Sequence, residues 1–473
     1  MLANAVVCLA SDADVQLLQS LIKKGDYSTA ESFIDKNLSG ANADEQKVLL
    51  FERERMRRIR LDFPFSAEQT KAQLSKHIPS ASDAEFSQWQ ASGLLESISI
   101  DGQQRFFHRA VKNLFYINPG LLARKNPETK LSDDSSLYIT NPLHQQWLAT
   151  QSKPTGYVDP IQFRISHQIT VDADAVPAGE IVRVWIPFPR EIAGQQQNIQ
   201  LLRSVPSLSL IAPKHTSQRT VYLEQKAVKG KASIFSIEYQ LQMQTFVSHI
   251  DPDKVLALPF NDPQLVPYIQ QQLPHIEFTP QLRAYSKQIV GNEKNAYRIA
   301  QKLFKSVSEK PWATAREYST LYNISDHALK AKHADCGEKT MLLIALLRLN
   351  AIPARWQSGW QFAPDGKFDT MHDWGQFYIA PYGWLPMDPT HGVLVSKAPS
   401  TQWFYLGSID AFRVAFNDDW STALVPEKIH PRSETVDSQR GEVEWQGGNL
   451  YFDQWNYQVS WQQIQASAPI KHQ

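Results

Sequence analysis

Three residues in one order, Cys336, His372 and Asp388, carry the groups that nucleophilic catalysis requires. A thiolate attacks a carbonyl carbon, an imidazole takes the thiol proton and returns it to a leaving group, and a carboxylate holds the imidazole in one tautomer. Cys336 heads "CGEKTMLLIALLRL", an apolar run that predicts a buried central helix capped by Asp335. At the first turn of such a helix, unpaired amides and the helix dipole favour an anion, so the thiol pKa is expected to fall. Asn350 should end the helix, and Ile352-Pro353 forces extended backbone into the strand "ARWQSGWQF". Taken by itself, the helix fits an inert, small, buried cysteine as well as a nucleophile.

The downstream segment "FDTMHDWGQFYIAPYGWLPMDPTHG" favours the nucleophile. It predicts a strand beginning at His372, a hairpin turn around Pro381-Tyr382-Gly383, and Asp388 on the returning strand. Antiparallel pairing then sets His372 and Asp388 nearly opposite, within the one or two residues that a bulge absorbs. Trp360, Trp374 and Trp384 are candidate walls of a substrate cleft, with core packing as the plainer role for any one of them.

The blocks "ADCGEKTMLLIALLRLNAIPAR", "HDWGQFYI" and "GWLPMDPTHG" resemble, in that order, the core of the transglutaminase-like superfamily. The resemblance implies a papain-like α+β domain over residues 264–410, with Cys336, His372 and Asp388 as its Cys-His-Asp triad. "AIPAR" stands where the family carries "GIPAR", and Asp373 stands where many relatives carry a small residue, a departure that touches local loop detail. The implied chemistry is cysteine-dependent acyl transfer on peptide or isopeptide amides through a thioester, hydrolysis ahead of crosslinking. The alternative is a catalytically inactive binding or assembly module on the same fold. An oxyanion would meet the Cys336 amide and a side-chain donor, with a Tyr or Trp of "KPWATAREYSTLYN" as candidate.

Other constellations are weaker. Cys336, His333 and His372 lack the CxxC or HExxH spacing of a metal site, and no P-loop or dinucleotide fingerprint occurs, so neither metal nor cofactor is expected. Glu442 and Glu444 alternate along a strand and read as a solvated edge rather than a glycosidase pair.

The elements that must position this chemistry follow from texture. With 473 residues, about three domains are expected. The 48 basic residues balance 48 acidic ones, which disfavours nucleic acid as a partner; the resemblance implies a protein or peptide substrate, with cell-wall peptide among the candidates outside the cytoplasm. Residues 1–10 read as a remnant of an export signal ending in Cys8-Leu9-Ala10, which implies a periplasmic or secreted protein whose remaining cysteine, Cys336, has no disulfide partner; a cytoplasmic location is the alternative. No later stretch approaches the length of a membrane span.

Residues 11–125 show helical spacing, with a hairpin signal at Asp101-Gly102 in an order similar to a winged helix. The Glu-Arg alternation of "FERERMRRIR" there reads as a solvated helix. A linker rich in Asn, Pro and Ser covers 126–156, and period-two runs over 157–255 predict an antiparallel β-sandwich, with Pro187 and Pro189 at a strand end or edge. Residues 411–473 read as a β extension. The expected whole is a multidomain α+β chain: a helical N-terminal region, a β-sandwich and a papain-like/transglutaminase-like catalytic domain.

Overall fold

A computed structural model of the chain describes residues 12–131, 155–257, 262–362, 369–396 and 398–464. The expected export remnant and residues 132–154 of the expected linker lie outside the described residues. The chain divides into two compact units. One gathers residues 1–132 with two later segments, 311–322 and 331–333; the other holds the rest.

In the first unit, helices α1 (Asp12–Lys24), α2 (Tyr27–Leu38), α3 (Ala43–Asp62), α4 (Ala67–His77) and α5 (Asp83–Ala91) precede a hairpin, β1 (Ser97–Ile100) and β2 (Gln103–Phe106), and helix α6 (Ala110–Ile117). Asn42, Ser66 and Ser82 each close a capping box with Glu45, Gln69 and Glu85, which satisfies two otherwise unpaired amides per helix start. The hairpin turns at Asp101-Gly102, both at positive φ, as its sequence requires.

The solvated reading of the Glu-Arg helix is corrected here. Glu52, Arg55 and Arg58 on α3 are buried. Glu52 accepts from Arg55 at 2.9 Å and from the Tyr322 hydroxyl at 2.8 Å, while Arg55 donates to the Ser319 carbonyl at 2.6 Å. The alternation thus holds segment 311–322, and a buried charge survives because each one is paired and hydrogen-bonded.

The second unit contains two packed sheets. One runs β15-β3-β8-β5 and the other β14-β13-β4-β7-β6, from β3 (Gly156–Val171), β4 (Ile181–Pro187), β5 (Gln196–Val205), β6 (Leu210–Ile211), β7 (Thr220–Lys226), β8 (Ser233–Val247), β13 (Glu442–Trp445), β14 (Gly448–Leu450) and β15 (Trp455–Ile464). Strand β8 alternates buried and partly exposed residues along nearly its whole length, so Phe235, Ile237, Tyr239, Leu241 and Met243 all face inward. Pro187 is the last residue of β4, where a missing amide costs least.

The expected boundaries shift in two places. Strands β13 to β15 are not a separate extension; they complete both sandwich sheets, β15 pairing with β3 over ten residues and β13 with β4. Strand β12 (Arg413–Asn417) joins the sheet that carries His372. Glu442 and Glu444, expected at a solvated edge, are fully buried. Glu442 accepts from Lys428 at 2.8 Å and from the Ser433 and Glu434 amides, and Glu444 accepts from the amides of Ile429 and His430. They fasten the 428–434 loop to the strand.

The remaining layer pairs helices α7 (Pro280–Val290), α8 (Ala296–Ser308), α9 (Ile324–Lys330) and α10 (Cys336–Leu349) with the antiparallel sheet β11-β10-β9-β12. Its other strands are β9 (Ala354–Phe362), β10 (Asp369–Ile379) and β11 (Gly383–Met387). Trp360, Phe362, Val414 and Phe416 of this sheet belong to the same hydrophobic core as Phe163, Ile165 and Tyr239 of the sandwich. Sandwich and helix-sheet layer are therefore one packed body rather than two domains in series.

Candidate active site

Helix α10 begins where its sequence predicts. Asp335 caps it, accepting the Glu338 amide at 2.9 Å, and Glu338 reaches back to the Asp335 amide at 3.3 Å. Every residue from Cys336 to Arg348 is buried, as an all-round apolar helix demands. Its far end is tied to β9 by Arg348, which donates to the Ala354 carbonyl at 2.8 Å. Between them Ala351 stands at φ +57°, a left-handed position that glycine occupies at lower cost.

His372 lies inside β10 rather than at its start, paired with Gly359 of β9. A side chain at Gly359 would press its Cβ to 1.8 Å from the Val414 carbonyl oxygen, so glycine lets β12 approach β9 in line with His372. The β10–β11 register sets Gly375 opposite Met387. Asp388 follows directly and reaches His372 on the diagonal, with His372 Nε2 2.7 Å from Asp388 Oδ2. The two-residue offset is of the size a strand end absorbs.

Asp388 is the hub of a buried network that the motif alone does not disclose. Arg413 Nη1 on β12 donates to Asp388 Oδ2 at 2.8 Å, and Arg413 Nη2 donates to Asp410 Oδ2 at 2.6 Å. Asp410 also accepts from the Tyr405 hydroxyl at 3.1 Å. The amides of Thr390 and His391 donate to Asp388 Oδ1. Burial alone would raise the Asp388 carboxyl, but His372, His391 and Arg413 outweigh it and hold the group well below the usual carboxylate range. His391 stacks on Tyr405 at 4.6 Å, and burial pushes it down to about 4, so it is neutral at physiological pH.

His372, Asp388 and His391 bring three donor atoms within 4.8 Å of one another, the spacing of a metal site. The Arg413 guanidinium already supplies the countercharge to the shared carboxylate oxygen, and His391 Nε2 is engaged by Gln361 at 3.0 Å. The set reads as an ion-paired network.

Cys336 departs from expectation. Its thiol donates to Asp373 Oδ2 at 3.4 Å, the residue beside His372, while His372 Nδ1 is buried without a partner. Burial first, then the Asp373 and Asp335 carboxyls, push the thiol well above its ordinary value. The expected lowering by the helix terminus fails on magnitude: a helix dipole contributes about 0.3–1 kcal/mol, whereas full burial moves a pKa by up to about 3–5 units. Lys339, one turn along, is buried too; desolvation brings it down to about 8, and it donates to the Ser308 carbonyl at 3.1 Å.

The three tryptophans hold packing positions. Trp360 is buried in the shared core and donates to the Gln439 carbonyl at 3.0 Å. Trp374 is fully buried, stacked beside His372 and donating to Gln357. Trp384 is half-buried, edge-on to Tyr268 and Tyr378, with the Arg355 guanidinium 4.2 Å from its ring. A wall role for Trp360 and Trp374 does not fit that burial. A cleft of about 460 Å³ instead lies between the end of α8 and the 390–396 loop, lined by Ser308, Thr390, His391, Gly392 and Leu394 among others. The upstream aromatics considered as oxyanion donors sit in the first unit, Trp312 against Tyr116 and Tyr322 on Glu52.

Sequence reasoning missed Arg413, Asp410, His391, Asp437 and Gln439. His391, three residues after Asp388 in "DPTHG", was legible by spacing; the others come from 410–439, where strand pairing alone reveals their place.

Residues 283–389 match the sequence profile of the transglutaminase-like superfamily. The crystal structure of a candidate cysteine protease from Cytophaga hutchinsonii is similar at 14% identity and a TM-score of 0.43, covering 66% of this chain and 93% of that one. No curated protein matches the chain. Residues 283–389, which hold Cys336, His372 and Asp388, are thus the core of a transglutaminase-like domain.

Proposed function

We propose that this protein catalyses cysteine-dependent acyl transfer on peptide or isopeptide amides, with water as the preferred acceptor. The observation that carries the reading is the state of His372: Nε2 is anchored on Asp388, and Nδ1 is left as the one ring nitrogen able to serve a thiol. Cys336 Sγ would pass its proton to Nδ1 and attack the amide carbon; the imidazolium would then protonate the departing amine, leaving a thioester. Water activated by the same imidazole would release the acid and restore the thiol. Asp388, held ionised by Arg413, fixes the ring and stabilises the imidazolium. A protein or peptide donor, cell-wall peptide included, and a periplasmic or secreted setting suit this chemistry.

The test is turnover of peptide and isopeptide libraries by the purified protein and its Cys336→Ser variant, with mass spectrometry of acyl adducts. An adduct on Cys336 and loss of turnover in the variant are expected. Unchanged turnover in Cys336→Ser refutes the proposal, and incorporation of a labelled amine in place of water would turn it towards crosslinking. One observation favours a second reading, an inactive binding or assembly module: the thiol is buried and its pKa raised rather than lowered. Absence of any adduct across the libraries would favour that module.

A further inference from the structure

Asp373 is the charged residue of the "HDW" block that the triad chemistry does not use, and it is the one that touches the sulfur. Its placement is fixed from several sides. Gln439 Nε2 donates to Asp373 Oδ1 at 2.9 Å, and the same nitrogen lies 3.0 Å from the His372 carbonyl and 2.9 Å from that of Gly359. Thr340, one turn into α10, donates to the Asp373 carbonyl at 3.2 Å. Behind Asp373 lies Asp437, also buried, and each carboxyl bears on the charge of the other. Neighbouring carboxyls away from water resist both being ionised, which favours a proton kept on the pair.

We infer that Asp373, backed by Asp437, is a positioning residue for the nucleophile: it directs the Cys336 proton to itself rather than to His372 Nδ1 and keeps the sulfur a neutral thiol at rest. When this contact opens, the proton passes from Sγ to Nδ1 and the thiolate-imidazolium pair forms, with no other group gaining or losing charge. Burial and Asp437 together raise the Asp373 carboxyl, which agrees with a proton retained on the pair. The other charged groups facing this chain are Asp335 and Lys339 near Cys336, and Glu434, Arg432 and Arg440 near Asp437. The inference rests on Cys336 being the nucleophile and says what controls it.

The test is the pH profile of Cys336 alkylation by iodoacetamide, read by peptide mass spectrometry in full-length protein carrying Cys8→Ser. Asp373→Asn keeps the shape and removes the charge beside the sulfur; its midpoint should fall by about one unit, with roughly tenfold faster alkylation at pH 7. Asp437→Asn removes the neighbour that, after burial, does most to keep a proton on Asp373, so Asp373 ionises more readily and alkylation at pH 7 should slow. Opposite signs are the signature, since loosened packing would speed both. An Asp373→Asn midpoint that is unchanged or raised, or two variants moving together, overturns the inference. If Asp373→Asn does not melt cooperatively, unchanged or faster alkylation of Asp437→Asn overturns it alone. Alkylation requires no acyl donor, so failure of the acyl-transfer reading appears separately, in turnover.

Discussion

Arg413→Met is the sharpest test of the buried network, because one guanidinium serves two carboxyls that have no water to fall back on. Methionine keeps a similar length and apolar bulk while removing the charge. Arg413 bonds Asp388 at 2.8 Å and Asp410 at 2.6 Å, and all three side chains are buried. Breaking one partner out of a buried ion pair costs about 3–5 kcal/mol, a large part of the roughly 5–15 kcal/mol that holds a folded protein. At roughly 2–4 °C per kcal/mol, the melting temperature should drop by about 6–20 °C. The pH dependence carries the sign. In the wild type the folded Asp388 carboxyl lies below its unfolded value, so its contribution is present above about pH 4 and is lost as pH falls further. Without the guanidinium, His372 and His391 still lower the carboxyl but against the same burial, so the folded value moves up toward the unfolded one and the variant has less stability to lose on acidification. Urea unfolding followed by tryptophan fluorescence at pH 7.5 and at about pH 3 measures both: a large deficit at the higher pH and a smaller one at the lower. A deficit under about 1 kcal/mol, or one that grows on acidification, would refute the view that Arg413 neutralises Asp388.

Two further outcomes follow from the site. Asp388→Asn removes the acceptor that anchors His372, and should lower kcat by about 10²–10⁴-fold in the peptide assay while leaving KM within a few-fold; an unchanged kcat contradicts the anchoring role. Ala351→Gly relieves a left-handed alanine at the turn after α10, and should leave stability equal or raise it by up to about 1 kcal/mol by thermal melt, whereas a clear loss would show that the turn is not strained.

The helix headed by Cys336 and the hairpin of His372 and Asp388 were legible because each is a local pattern: a capped apolar run, then two strands around a short turn. The sandwich strands of 157–255 were legible through period two. What stayed hidden depends on partners far along the chain. Nothing near Arg413 in sequence announces that it reaches Asp388, since β12 pairs with β9 some 50 residues earlier. Glu52, Arg55, Glu442 and Glu444 look like surface charges in a window and become buried anchors when loops fold over them. The thiol's raised pKa was misjudged because a helix terminus can be read from sequence, whereas the competing burial and the Asp373 contact cannot.

The core shared by sandwich and helix-sheet layer bears on how this protein can be handled. Excising residues 264–410 along the family's expected borders would strip off β12 and bare Trp360 and Phe362, the sheet's apolar side. Such a piece would be sticky and prone to precipitate. The nascent chain faces the same difficulty: β3 and β4 wait for strands made more than 200 residues later, so this half of the molecule matures only once translation has passed β15.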